Sequence, residues 1–310
     1  MGGRVRSRGA RPGFGIDAVD LNEPLVSRPG ATTALPAIAI ALFLASVLPA
    51  LAATAPVSPA WQQVAPGLEL NSFPSGIPNS VGDGLITVLR IDPALWALEC
   101  VDVNRTGERD GRTARQWCEA YGLTAAINFG MYAADGRSHV GYLEWRGHVS
   151  SKRVNGYPSV AAFDPRQGSG RPAFRIFDLD DPHTTVPEIL EDYASVVQNL
   201  RLIKRPGENR WKPQPKRWSE AALAEDAQGR ILFVFSRSPY TMFEFNDALL
   251  ALGLEVVAAQ HLEGGPAAQL HLHAGAYELD LVGSFETGVL EGLDNRMAWP
   301  IPGVLGLRRR

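Results

Sequence analysis

The sequence predicts an α+β fold with mixed, largely antiparallel sheets and helices packed on them, in a single domain of catalytic type. Three observations support this fold class. Short apolar runs with strand character follow one another closely, two amphipathic helical patterns interrupt them, and the segments do not alternate strictly between strand and helix. A regular doubly wound parallel sheet would need that alternation. We find no internal repeat.

In the first half of the domain, the sequence predicts several strands and one helix. Strands are predicted at 84–91 and 95–101, with an Asp-Pro turn between them. A helix is predicted over 113–121, because its apolar residues recur at the spacing of one helical face. Gly122 is suited to end that helix. A short buried strand at 123–127 then leads to a polar residue.

The second half continues the same mixture. Its predicted elements are strands at 159–163, 174–179 and 195–203, a short helix at 186–193, a hairpin formed by 221–224 and 230–236, an amphipathic helix at 242–252, and a strand at 254–262.

The N-terminal region predicts export. Residues 34–53 are almost entirely apolar and end in Ala50-Leu51-Ala52, which is typical of a signal peptidase site. We therefore expect an N-terminal extension and signal peptide at 1–53, a linker at 54–79 that ends in an edge strand, and the folded domain at 80–310. The alternative is a permanent membrane anchor. Cleavage would give a periplasmic or extracellular protein that contacts the membrane only through an uncleaved signal segment.

Composition and charge exclude several classes of function. The formal net charge is −3, which gives no general case for a nucleic-acid partner. No phosphate loop, dinucleotide motif or nucleophile elbow is present, so we expect no cofactor. His271 and His273 share one strand face, but no third ligand follows at a suitable spacing, and we expect no metal. Cys100 and Cys118 could form a disulfide or remain as two buried thiols.

A carboxylate beside two glycines is the most informative motif. Glu263-Gly264-Gly265-Pro266 follows an apolar run and precedes another. Glycines let the backbone turn sharply or approach a ligand closely, so a strand-end carboxylate here can be held against a substrate. The alternative is a hairpin turn with a solvated Glu.

Together with two earlier segments, this motif resembles the phosphodiester glycosidase family over about 85–277. The family pattern has an Asn-Gly-Gly-Phe-Phe-like motif, a Gly-Pro-Arg-Leu-like segment, an Arg-Thr-Ala-x-Gly hairpin and a final Leu-Asp-Gly-Gly-Gly-Ser motif. The matching residues are Asn128, Gly130 and Tyr132 in the first motif, Arg201 and Leu202 in the second, Ala222, Asp226 and Gly229 in the hairpin, and Leu262, Gly264 and Gly265 in the last.

Three positions depart from that pattern. Glu263 stands where the family shows Asp, Ala267 where it shows Ser, and Glu220 where the hairpin Arg would fall. The resemblance implies a hydrolase that cleaves a glycosyl phosphodiester or a related envelope glycan, with a small-molecule or polymer glycan as its partner. The departures at Ala267 and Glu220 favour the alternative, a non-catalytic envelope protein that binds glycans in the same pocket.

Glycoside hydrolysis and phosphate binding need different residue types. Hydrolysis uses two carboxylates, for which we expect Glu263 first and Glu220 second. Guanidinium groups match phosphate oxygens, which makes Arg201, Arg237 and Arg153 candidates. The alternatives are a structural ion pair for Arg201 and a solvated loop position for Arg237.

Further residues complete the predicted site. Asn128 would either orient a sugar hydroxyl or hold a loop backbone. His139 and His148 are alternative general acids. We expect Asn128, Arg201 and Glu263 to meet in one cleft, because all three lie at or near strand ends. The substrate-binding set predicted from the sequence is Asn128, Gly130, Asn199, Arg201, Arg237, Gly264 and Gly265.

Overall fold

Antiparallel strands make up most of the structure, a computed structural model that describes residues 60–79 and 81–310. Every strand pair in this part of the chain is antiparallel, and a few short helices accompany three sheets. The predicted α+β class with largely antiparallel sheets in one domain is confirmed. The predicted extension and signal peptide at 1–53 lie outside the described residues.

The strands in chain order are β1 (Gln62–Ala65), β2 (Leu68–Pro74), β3 (Leu85–Ile91), β4 (Trp96–Asp102), β5 (Ala125–Asn128), β6 (Tyr142–Trp145), β7 (His148–Lys152), β8 (Ser159–Pro165), β9 (Phe174–Asp178), β10 (Tyr193–Asn199), β11 (Arg201–Lys204), β12 (Glu208–Asn209), β13 (Trp218–Asp226), β14 (Ile231–Tyr240), β15 (Val256–Gly264), β16 (Gln269–Ala274), β17 (Tyr277–Val282) and β18 (Gly303–Arg309). The helices are α1 (Val103–Thr106), α2 (Ala114–Tyr121), α3 (Val186–Asp192) and α4 (Met242–Ala251), and a 3₁₀ turn spans Gly265–Ala267.

Three sheets contain these strands. The first sheet has the order β1-β2-β3-β14-β13-β15-β11-β12, the second β7-β6-β10-β8-β9, and the third β17-β16-β5-β18-β4. The main core contains side chains from all three, such as Leu89, Ile176 and Leu305. Helix α4 packs on the other face of the first sheet, where Phe245 and Val234 share a second apolar cluster.

The two predicted amphipathic helices form where the sequence places them, because both carry strong start signals. Thr113 and Thr241 each cap the first turn and each take part in a capping box, with Gln116 and Glu244 respectively. Helix α2 ends at Gly122, whose φ of 63° lies in the left-handed region that glycine adopts without strain.

Some elements differ from the prediction. The single strand expected at 195–203 is two strands, β10 and β11, which belong to different sheets and meet at Leu200. Within 54–79, where the sequence predicts a linker followed by one edge strand, the structure has two strands, β1 and β2, and β1 forms the edge of the first sheet. Strands β6 and β7 were not expected, since their polar residues hide the strand pattern.

The two cysteines are free thiols on opposite faces of the third sheet. Cys100 is part of the main core, whereas Cys118 packs in the cluster around α2. Burial raises the pKa of Cys118 to about 12, so neither the geometry nor the ionisation favours a disulfide. Within the described residues, none of the helices combines the length and the apolar character that crossing a membrane requires.

Candidate active site

Two neighbouring strands of the first sheet carry the predicted carboxylates at the same end of that sheet. In the pairing of β13 with β15, Glu220 lies opposite Gly264 and Ala221 lies opposite Glu263. Glu220 is 2% exposed and Glu263 is 6% exposed, so both carboxyl groups are largely removed from water. Buried carboxylates are rare unless they are paired. The hydrogen-bond partners of Glu220 and Glu263 therefore decide what these two groups can do.

Glu220 is fully engaged by two side chains. Its Oε1 lies 2.6 Å from Nδ1 of His261, and the indole Nε1 of Trp218 donates to its Oε2 at 2.7 Å. The Trp218 and His261 rings also meet edge to face, with centroids 6.1 Å apart. These contacts fix the imidazole, and they leave its Nε2 without a hydrogen-bond partner among the described residues.

One carboxylate oxygen of Glu263 is available to a substrate. Its Oε1 accepts the backbone N–H of Gly264 at 3.0 Å, and its Oε2 has no hydrogen-bond partner within the described part of the chain. Burial raises the pKa of Glu263 to about 7, although His261 and the Gly264 N–H act in the opposite direction. A carboxyl group with this pKa exchanges a proton near neutral pH, which suits a general acid.

Glu220 and His261 shift each other's pKa. Burial raises the pKa of Glu220, and His261 only partly offsets that effect. Burial by itself would lower the pKa of His261, but the Glu220 carboxylate reverses this and raises it. Both shifts favour the protonated form of each group, and the two groups titrate as a coupled pair.

Close contacts around the two glycines of the motif leave no room for a side chain at either position. A Cβ atom on Gly264 would lie 2.7 Å from Cδ1 of Trp218. Gly265 has a φ of 63°, and a Cβ atom there would lie 2.5 Å from a carboxylate oxygen of Glu286. The glycines therefore let Trp218 and Glu286 close around the end of β15, and Glu286 contributes to the raised pKa of Glu263.

A second group of predicted residues gathers at the end of β5. Asn128 donates to the Ala267 carbonyl at 3.0 Å and accepts the Gln269 N–H at 2.7 Å, so its amide holds the backbone that follows the glycine turn. Asn199 donates to the Phe129 carbonyl at 3.1 Å. A Cβ atom on Gly130 would lie 2.2 Å from Oδ1 of Asn199. Asn128 thus joins this group to the carboxylates through backbone contacts.

Arg201 is not brought to the carboxylate group. It lies opposite Gln260 in the sheet, and neighbouring residues of a strand face opposite sides, so Arg201 and His261 are separated by the sheet. Its guanidinium binds Asp178 at 3.1 Å and Asp180 at 2.7 Å. These contacts are those of the structural ion pair considered from the sequence.

Arg237 also lies apart from the carboxylates. Its guanidinium donates to the carbonyls of Val282, Leu293 and Asn295, the latter two at 2.8 Å. It lines a cavity of about 240 Å³ between the first and third sheets, together with Arg296. The third arginine candidate, Arg153, is exposed on the surface after β7.

The remaining histidines have other contacts. Both ring nitrogens of His139 face backbone carbonyls, at 3.1 Å and 2.8 Å, and burial lowers its pKa to about 4. His148 is exposed. Nδ1 of His271 lies 2.6 Å from Asp280. Within the described residues, no group of three His, Cys, Asp or Glu side chains is arranged to hold a metal ion.

Sequence reasoning missed three members of the carboxylate group, namely His261, Trp218 and Glu286. His261 lies in an apolar run and looks like part of a buried strand, but it comes only two residues before Glu263, and its charge affects the pKa of that carboxyl group. That spacing was the available signal. No local pattern could have placed Glu286, because a loop remote in sequence brings it to Gly265.

Comparisons with known proteins identify the fold and the family. The catalytic domain of zebrafish N-acetylglucosamine-1-phosphodiester α-N-acetylglucosaminidase, auto-inhibited by its pro-peptide, has a TM-score of 0.55 at 14% identity, over 80% of this chain and 86% of that one. A hypothetical protein from Synechocystis has a TM-score of 0.54 at 14% identity, over 78% of this chain and 62% of that one. These likenesses show a shared fold. No curated protein sequence matches the chain.

The sequence model of the phosphodiester glycosidase family matches residues 121–308, which is more than half of the chain. This range contains both groups of candidate site residues, from Asn128 to Glu286. The resemblance seen in the sequence is therefore confirmed, and the chain belongs to the phosphodiester glycosidase family.

Proposed function

We propose that this protein hydrolyses the bond between the anomeric carbon of a sugar and its leaving oxygen, in a glycosyl phosphodiester or a related envelope glycan. Membership of the family supports the reaction class. The observation that carries the proposal for this chain is the position of Glu263, a buried carboxyl group with a pKa of about 7 beside a histidine held by a second carboxylate.

The geometry assigns the general-acid and general-base roles to two different groups. The protonated Glu263 donates to the leaving oxygen, since its Oε2 is not used by the protein. In its neutral form, with Nδ1–H donating to the Glu220 carboxylate, His261 receives the proton from the attacking water at Nε2, and Glu220 then stabilises the charged ring that results. Glu220 therefore acts as a positioning residue, because both of its oxygens are already occupied.

The test is the release of free sugar by the purified protein. N-acetylglucosamine is the first sugar to offer, because the zebrafish enzyme with a similar fold is described as acting on its 1-phosphodiester. Glu263→Gln should lower kcat by about 10²–10⁴-fold. Glu119→Gln, an exposed change on α2, is the matched control and should behave like the wild type. Sugar binding without any release would establish the glycan-binding alternative.

We also propose that the protein acts outside the cytoplasm. The support is the apolar segment that ends in Ala50-Leu51-Ala52. N-terminal sequencing of exported material should begin near Ala53. Recovery of the intact apolar segment in a membrane fraction would show an anchor instead.

A further inference from the structure

A long loop lies against the turn that follows Glu263. Residues 283–302 connect β17 to β18, and this described stretch contains no helix and no strand. A connection longer than about 12–15 residues without secondary structure is usually either functional or disordered. Backbone hydrogen bonds tie this one to the domain near both ends, at Gly283 and at Ile301. The 283–302 loop is therefore fixed in place, which favours a function.

The start of the loop packs directly on the glycine turn. The Gly283 N–H donates to the Ala268 carbonyl at 2.8 Å. A Cβ atom on Gly283 would clash with the Gly265 carbonyl oxygen, and the carboxylate of Glu286 also lies against Gly265. Because Gly265 comes two residues after Glu263, the start of the loop covers the turn next to that carboxyl group.

Arg237 on β14 holds the loop at three points. Its Nη1 donates to the Val282 carbonyl, and its Nη2 donates to the Leu293 and Asn295 carbonyls, both at 2.8 Å. Val282 comes directly before the loop, whereas Leu293 and Asn295 lie in its second half, so one guanidinium joins the two parts. Nδ2 of Asn295 then donates to the Gly283 carbonyl at 2.8 Å. The contacts of Arg237 therefore extend to the residue that packs on the turn.

These hydrogen bonds leave little of the guanidinium for a phosphate group. Both N–H groups of Nη2 are used, and each edge of a guanidinium that offers two adjacent N–H groups includes one of them. A bidentate phosphate contact would thus require Arg237 to release the loop. The geometry favours a role in holding the loop.

We propose that Arg237 is a positioning residue for the hydrolysis, which holds the 283–302 loop against the glycine turn and so keeps Glu263 enclosed without touching the substrate. This inference rests on the proposed function and adds a residue to it.

The acidity of Glu263 should report a released loop. Burial is the largest cause of its raised pKa, and the charges of Glu286 and Glu220 add to it, whereas His261 and the Gly264 N–H act in the opposite direction. Freeing the loop would admit water and move Glu286 away. Both changes lower the pKa of Glu263, so less of the protonated acid remains at neutral pH.

Arg237→Lys tests the inference, because it keeps the positive charge but replaces the planar fork by a compact ammonium. The substrates are the benzyl phosphodiesters of N-acetylglucosamine, glucose and galactose at C1, with free sugar as the measured product. We expect kcat at pH 7.5 to fall about 5-fold or more, the alkaline limb of the kcat profile to move about one unit to lower pH, and KM to stay within about 3-fold.

Two further variants separate positioning from phosphate binding. Asn295→Ala removes the side-chain contact with Gly283 and leaves the guanidinium in place, so it should move the pH profile in the same direction and serves if Arg237→Lys does not fold. Arg296→Gln is the matched control, since Arg296 lines the same cavity but is exposed, and it should change neither kcat nor KM.

Urea unfolding gives a readout that needs no activity. The stability difference between Glu263→Gln and its parent should change with pH in the wild type, because the carboxyl group titrates with a raised pKa. In the Arg237→Lys background this change between pH 4.5 and 9 should shrink to about half or less.

The outcomes distinguish the two proposals. A raised KM with an unchanged kcat profile would make Arg237 a phosphate contact and overturn the inference while the hydrolase function stands. An unchanged kcat profile together with an undiminished unfolding difference would also overturn it. Release of sugar from none of the phosphodiesters by the wild type would overturn the hydrolase function and the part of Arg237 in it, and a diminished unfolding difference would then show only that Arg237 encloses Glu263.

Discussion

Replacing Glu263 by Gln should change how the stability of the protein depends on pH. The carboxyl group is 6% exposed, and burial raises its pKa from 4.5 to about 7. Between these two values the unfolded chain loses the proton while the folded chain keeps it. The folded state then binds more protons, so the free energy of unfolding falls as the pH rises.

The size of this effect follows from the two pKa values. Each pH unit between 4.5 and about 7 is worth about 1.4 kcal/mol. The wild type should therefore lose about 3 kcal/mol of stability relative to Glu263→Gln on going from pH 4.5 to pH 7 and above. Gln has nearly the same shape and can accept the Gly264 N–H, and any cost of burying its amide is the same at every pH.

Urea unfolding at closely spaced pH values from 4.5 to 9 measures this difference. The quantity of interest is the free energy of unfolding of Glu263→Gln minus that of the wild type, with Glu119→Gln as the control. A difference that rises by about 3 kcal/mol and then levels off supports the reasoning. A difference that stays flat would refute it, because Glu263 would then titrate like a solvated carboxylate at the turn.

Three further outcomes are expected. Glu220→Gln should lower the pKa of His261, because the carboxylate that raises it is gone, and an NMR titration of the imidazole would detect this; an unchanged value would place the charge elsewhere. Gly265→Ala should lower stability by about 1–3 kcal/mol, and by more than Gly288→Ala, whose Cβ meets nothing within 4 Å; thermal unfolding compares the two. Both cysteines should resist a thiol reagent in the folded protein and react only after unfolding, so rapid labelling of either thiol would contradict their burial.

Local sequence signals predicted much of the fold. The spacing of apolar residues over 113–121 and the end signal Gly122 predicted helix α2, and the apolar run after Pro93 predicted β4. The break at Leu200 was not predictable in this way, because an unbroken apolar run does not reveal that its two halves join different sheets.

Local sequence signals likewise predicted some residues of the candidate site and misled about others. Glu263 and Glu220 could be found because a carboxylate at a strand end next to glycines is chemically unusual, and the structure brings them to adjacent strands. Arg201 looked equally unusual in an apolar strand. Its partners, Asp178 and Asp180, lie more than twenty residues away in the chain, so only the fold shows that its charge is neutralised there.

The position of β18 has a consequence for how the protein acquires its fold. Residues 303–309 pair with β4 on one side and β5 on the other, so they form an inner strand of the third sheet. During synthesis β4 and β5 each have an edge that stays open until nearly two hundred further residues have been made. Since Asn128 lies on β5, the backbone support behind Glu263 is completed only when residues 303–309 enter the sheet, so this part of the site cannot form before they have been made.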